Sequence, residues 1–182
     1  MRYIKIHPIY FVFILLLIVS NLKAEKTNEE VARAGWKKYF QDANVNGTIL
    51  IVDERHGKQQ TLVYNPQRSE KRFSPASTFK IAHALFALDA KILRDEFEVI
   101  PWDGVKRPYK AWNKSQTLRS SIRHSVVWVY EGFAKSIGSE GEKGYMTKIS
   151  YGNCDPSGMT PFWIKGSLRI SAREQMKFLQ KL

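Results

Sequence analysis

At 182 residues the chain has the length of one ordinary domain with a short appendage. Hydrophobic residues make up 43% of it, charged residues 25% and aromatics 13%, which excludes a disordered or collagen-like polypeptide. A single cysteine excludes an internal disulfide framework and the common cysteine-based zinc sites, and the four histidines (His7, His56, His83 and His124) include no close ligand pair, so no metal is expected. The formal net charge is +12, three of the cations being Arg2, Lys5 and Lys23. The remaining charges are dispersed, with no basic block of the kind that marks a nucleic-acid tail, so no nucleic-acid partner is expected.

The N-terminus reads as a secretory leader over residues 1–24. A short basic stretch, Met1 to Pro8, precedes an unbroken apolar run from Ile9 to Val19, and Ser20-Asn21-Leu22-Lys23-Ala24 follows as a cleavage region. Eleven apolar residues fall short of the roughly 20 that cross a bilayer, so no stable membrane anchor is expected. The mature domain then covers residues 25–182 and lies outside the cytoplasm. Cys154 has no internal partner there.

Beyond the leader, helix and strand patterns mix. Thr27-Asn28-Glu29-Glu30 carries a capping-box pattern ahead of Ala32, Trp36, Tyr39 and Phe40, which predicts a helix. Gly47–Asp53 and Gln60–Tyr64 are rich in β-formers, and His56-Gly57-Lys58 between them predicts a hairpin turn. Pro75 precedes a helical stretch that includes Phe79, Ile81, Ala82, Leu85, Phe86 and Leu88 and is apolar nearly all round, which predicts a buried helix. Leu118 to Ile137 reads as largely helical, Tyr145 to Ile149 as the end of a short helix, and Ser171 to Leu182 as an amphipathic one. Tyr151 to Gly166 is a long loop rich in Gly, Pro, Asn and Ser, the kind of segment that often carries function. The last helical pattern stops without a cap, and one hairpin is too little sheet to cover a buried helix, so the domain reads as unfinished at its C-terminus.

The candidate chemistry is at Ser77 and Lys80. Three residues apart at the head of the apolar helix, the hydroxyl and amine share a face. Desolvation disfavours an ammonium, and a neutral amine beside a hydroxyl is a nucleophile–base pair. A helix N-terminus adds backbone N–H groups suited to a developing oxyanion. The spacing alone discriminates little, since Ser20 and Lys23 repeat it; the apolar setting of Lys80 between Phe79 and Ile81 is what distinguishes the second pair.

Further motifs follow in order. Pro75-Ala-Ser-Thr-Phe-Lys-Ile-Ala82, Trp102-Asp103-Gly104, Ser125-Val126-Val127, Tyr151-Gly152-Asn153 and Phe162-Trp163-Ile164, the last followed by Gly166-Ser167-Leu168 and Ile170-Ser171, resemble the class D (oxacillinase-type) serine β-lactamases from about residue 35 onward. The resemblance implies an α+β fold of helices packed on an antiparallel sheet, the serine β-lactamase and penicillin-binding fold. It implies a periplasmic hydrolase that opens penicillins, oxacillin-type drugs included, and so confers antibiotic resistance. Ser77 is then the nucleophile that carries the acyl ester. Lys80 carries a carbamate made from CO₂ or bicarbonate and acts as general base, and Ser125 passes a proton to the lactam nitrogen. Val127 keeps the lysine pocket dry, Trp163 donates its indole N–H to the carbamate, Tyr151-Gly152-Asn153 shape the far wall, and Trp112 or Tyr109 lines the cleft. No metal or diffusible cofactor is implied; the partner is a β-lactam, and a homodimer is allowed. His83 and His124 read as structural and Cys154 as incidental.

The family also carries a later Lys-Thr/Ser-Gly strand, which this chain lacks; Lys165-Gly166 is misplaced for it. That implies missing sheet strands, a missing last helix and one absent oxyanion donor, and hence reduced turnover. Two other readings stay open: a penicillin-binding sensor or transpeptidase relative that acylates without turnover, and a basic secreted binding module in which Ser77 and Lys80 are inert.

Overall fold

A computed structural model describes residues 29–55 and 59–182. The leader of residues 1–24 and the turn at His56–Lys58 lie outside the described residues. The described backbone falls into two compact units, one comprising the chain through Val45 together with Ile51–Tyr64, the other Asn46–Leu50 together with Asn65–Leu182.

In the first unit, β1 (Glu29–Ala32) pairs in parallel with β3 (Gln60–Tyr64), from Glu29 opposite Gln60 to Ala32 opposite Val63. β3 lies between β1 and β2 (Ile49–Asp53). The helix expected from Thr27 through Phe40 is therefore a strand over Glu29–Ala32 and helical only from Ala34 onward. The capping-box pattern there is outweighed by ladder pairing, which continues to Arg33, whose N–H donates to the Val63 carbonyl at 2.7 Å. A 3₁₀ turn, Ala34–Trp36, leads into α1 (Lys37–Asp42), where Phe40 stacks on Tyr64 with ring centroids 4.7 Å apart.

The second unit holds the helices. Asn65, at φ +53, caps the short α2 (Pro66–Ser69): its side chain accepts from Arg68 N–H and donates to the Gly47 carbonyl. β4 (Arg72–Phe73) pairs antiparallel with β5 (Ile170–Ser171), a ladder with no strand-length signal in either segment. A 3₁₀ turn, Ala76–Thr78, leads into α3 (Phe79–Asp89). α3 buries Phe79, Lys80, Ala82, His83, Ala84, Phe86 and Ala87, while Ile81 and Leu85 stay 38% and 41% exposed, so the helix is buried on most faces but not all round.

The expected helix over 118–137 divides. α4 (Leu118–Arg123) opens on a Thr117/Ser120 capping box, and α5 runs from Val127 to Ile149 with a non-helical break at Gly138 (φ +74). α6 (Ala172–Leu179) opens on a second capping box, Ser171/Glu174. The irregular loop expected over Tyr151 to Gly166 spans residues 150–169. Phe79 centres the core, with Phe86, Tyr151, Phe162 and Trp163 packed around it at centroid distances of 5.3–6.1 Å. Truncating such a ring costs about 3–5 kcal/mol. Among the described residues no helix is long and apolar enough to cross a membrane.

Candidate active site

The 3₁₀ turn and the first turn of α3 put Ser77 and Lys80 on one face. Lys80 Nζ donates to Ser77 Oγ at 3.1 Å. The third corner is Ser125, whose Oγ is 2.9 Å from Ser77 Oγ and accepts from Lys80 Nζ at 3.1 Å. Ser125 is not within a helix. It sits in the gap between α4 and α5 with φ +51, and this left-handed turn delivers its hydroxyl to the foot of α3. The gap is held on both sides: Ser125 and Val126 N–H donate to the Ile122 and Ser121 carbonyls, and the Trp112 indole N–H donates to the His124 carbonyl at 2.9 Å. Trp112 thus positions the residue before Ser125. Its own carbonyl accepts from Trp128 Nε1 at 3.0 Å, and its ring lies 4.9 Å from Tyr109.

Lys80 is 3% exposed, and burial lowers its amine from the ordinary 10.5. No carboxylate pairs with it among the described residues; its hydrogen bonds go to the two serine hydroxyls, and Nζ lies 5.4 Å from the Tyr130 ring centre. Burial also pushes the Tyr130 phenol up to about 12, so that ring stays neutral. Burial makes this amine easier to deprotonate than a surface lysine, and once neutral it can draw a proton from either hydroxyl.

Trp163 is fully buried, and its indole N–H has no hydrogen-bond partner among the described residues. A buried donor left unbonded is costly, so this N–H suits an acceptor brought by a ligand or modification. Its carbonyl is bound to the segment ahead of Ser77, accepting from Ala76 N–H at 2.9 Å and Ser74 Oγ at 2.8 Å. Val127 is half-buried at the head of α5 and packs on the core.

Tyr151, Gly152 and Asn153 sit behind the triangle rather than in it. Tyr151 is fully buried, edge-on to Phe79 at 5.3 Å, and its hydroxyl donates to Gln175 Oε1 at 2.8 Å. Asn153 and Arg169 exchange bonds at 2.9 Å, and Asn153 Nδ2 donates to the Ser167 carbonyl. Gly152 is required there: at φ +57, a Cβ would stand 2.0 Å from the Arg169 carbonyl. These residues hold the Trp163 loop against α3.

One pair escaped the sequence reading. His83 and Glu142 are 0% and 1% exposed, with Nε2 and Oε1 2.6 Å apart. The contact is short but not aligned as a hydrogen bond. Glu142 lies beyond the Gly138 break, far along the chain, so only the placement of His83 on the Lys80 face gave a hint. Cys154 is a free, half-buried thiol. The described residues hold no cluster of three or more potential metal ligands.

A family described as the penicillin binding protein transpeptidase domain matches residues 47–182, and the chain belongs to that family. Within it, the chain is 49% identical over 174 residues to β-lactamase OXA-2 of Salmonella typhimurium, covering 94% of this chain and 63% of that one. It is 50% identical over 169 residues to β-lactamase OXA-20 of Pseudomonas aeruginosa, covering 92% and 62%. The crystal structure of a class D β-lactamase from Sebaldella termitidis superposes with a TM-score of 0.77 at 35% identity, over 85% of this chain and 62% of that one. The chain spans a little under two thirds of the length of these relatives.

Proposed function

We propose that this chain carries the acylation centre of a class D serine β-lactamase and opens β-lactam antibiotics through an ester on Ser77. The observation that carries the reading is the closed triangle of Ser77 Oγ, Ser125 Oγ and Lys80 Nζ at 2.9–3.1 Å around a buried amine. Ser77 Oγ attacks the lactam carbonyl carbon, the ring C–N bond breaks, and Ser125 Oγ hands its proton to the departing nitrogen. Ser125 recovers a proton from the Lys80–Ser77 side of the triangle.

The residues around Lys80 also fit a carbamate formed from CO₂ or bicarbonate: burial lowers the amine and so favours its neutral form, and Trp163 offers an unbonded indole N–H. When bound, that group supplies an anionic oxygen as general base. Trp163 orients it and Val127 limits water at the edge of the pocket. Penicillins and oxacillin-type drugs are the substrate class, and residues 1–24 deliver the chain to the periplasm.

The test is the intact mass of the chain over time with benzylpenicillin in bicarbonate buffer. A drug-sized adduct that forms and decays with product release supports hydrolysis. A persistent adduct supports acylation without turnover. Ser77→Ala abolishes the adduct under both. No adduct on a well-folded chain sinks the proposal.

A further inference from the structure

We infer that the buried His83–Glu142 pair is a positioning element for Trp163, setting the aim of the indole N–H toward the Lys80 pocket. The inference rests on the carbamate reading above. His83 sits one helical turn after Lys80 and is ringed by aromatics: Phe79, Tyr130, Phe133 and Trp163 lie at centroid distances of 5.1–6.0 Å. Among the rings in contact with the Trp163 indole, which are Phe79, His83 and Phe162, only His83 has a polar edge, and it meets the indole edge-on at 5.2 Å and 72°.

Ring packing fixes where the imidazole sits, and a polar group at one edge decides which edge it turns to each neighbour. Glu142 supplies that polar contact: its Oε1 stands 2.6 Å from Nε2, though neither ring nitrogen makes an aligned hydrogen bond among the described residues. The carboxylate therefore orients the imidazole, and the imidazole orients the indole whose N–H has no protein acceptor. Such a pair adds little net stability, since a buried carboxylate and imidazole lose their hydration on being brought together. The contact is not needed to hold the end of α5 on α3, because Tyr145 stacks on Phe86 at 4.9 Å and 13° and Met146 is fully buried.

The experiment titrates ¹³C-labelled bicarbonate into the full chain and follows the lysine carbamate by ¹³C NMR, with a melting curve for each variant. Glu142→Leu is expected to raise the bicarbonate midpoint about tenfold, the typical loss when an outer partner of a site is removed. Glu142→Gln keeps an acceptor oxygen and is expected to restore most of the affinity. A folded Glu142→Leu chain with an unchanged midpoint overturns the proposal, whatever its melting temperature. If Glu142→Leu does not fold, Glu142→Gln and His83→Gln decide by the same readout. Absence of a carbamate signal from the wild-type chain at any bicarbonate concentration overturns the carbamate reading itself, and the positioning proposal with it.

Discussion

Ala76 donates its backbone N–H to the carbonyl of Trp163 at 2.9 Å, and Ser74 Oγ binds the same oxygen. The residue before Ser77 and the residue with the buried, unbonded indole are thus one mechanical unit. Trp163→Phe keeps a ring in the core and leaves this backbone staple intact, but deletes the N–H. Activity is expected to fall about 10–100-fold, with partial recovery at high bicarbonate, while Ser74→Ala costs only about 1 kcal/mol of stability. Rates measured across a bicarbonate series, with melting curves, separate the two.

Ser125 is held at φ +51, a conformation that an L-residue adopts at a cost of roughly 1–2 kcal/mol. Ser125→Ala and Ser125→Gly both remove the hydroxyl, and each is expected to slow acylation about 10²–10⁴-fold. Only the glycine relieves the backbone, so Ser125→Gly should melt above Ser125→Ala. Equal melting temperatures would show that the turn is unstrained.

Lys80 is maintained at a cost. Burial lowers its amine below 10.5, so between that lowered value and 10.5 the unfolded chain binds more protons than the folded one, and stability rises with pH across this window. Lys80→Met removes the titrating group and fills the same space. The variant is expected to lose all adduct formation, to melt higher at neutral pH, and to lose the alkaline rise in stability. At this chain length ~1 kcal/mol corresponds to about 2–4 °C. A lower melting temperature at pH 7 contradicts the prediction.

Arg72 on β4 binds Glu174 at the head of α6, and the guanidinium holds the Glu174 carboxyl below its ordinary 4.5. A carboxylate held low stabilises the fold above its unfolded value and loses that contribution as pH falls through the lowered one. Arg72→Ala is therefore expected to cost about 0.2–1 kcal/mol at neutral pH, as for a partly exposed pair, and progressively less below pH 4.5. Urea melts at several pH values measure this; a penalty that grows in acid counts against it.

How much of this was legible beforehand varies by element. Ser77 and Lys80 could be paired from their spacing because both lie in one helical turn, where i and i+3 are neighbours by geometry alone. The buried amine could be read from Phe79 and Ile81 on either side of it, and the irregular loop from its Gly, Pro, Asn and Ser content. Ser125 was found by resemblance but misplaced within a helix, because nothing in Arg123-His124-Ser125 signals a left-handed residue. Glu29–Ala32 was misread, since a four-residue strand is decided by a partner, β3, that lies some thirty residues on.

Local chemistry, then, was settled by the chain itself: the Ser77 hydroxyl and the amine three residues on. Tertiary packing alone decided the third corner of the triangle, the unbonded indole of Trp163 and the His83–Glu142 pair. Each depends on residues from separate elements meeting in the core, and burial, rotamer and hydrogen-bond satisfaction do not exist until those elements have packed.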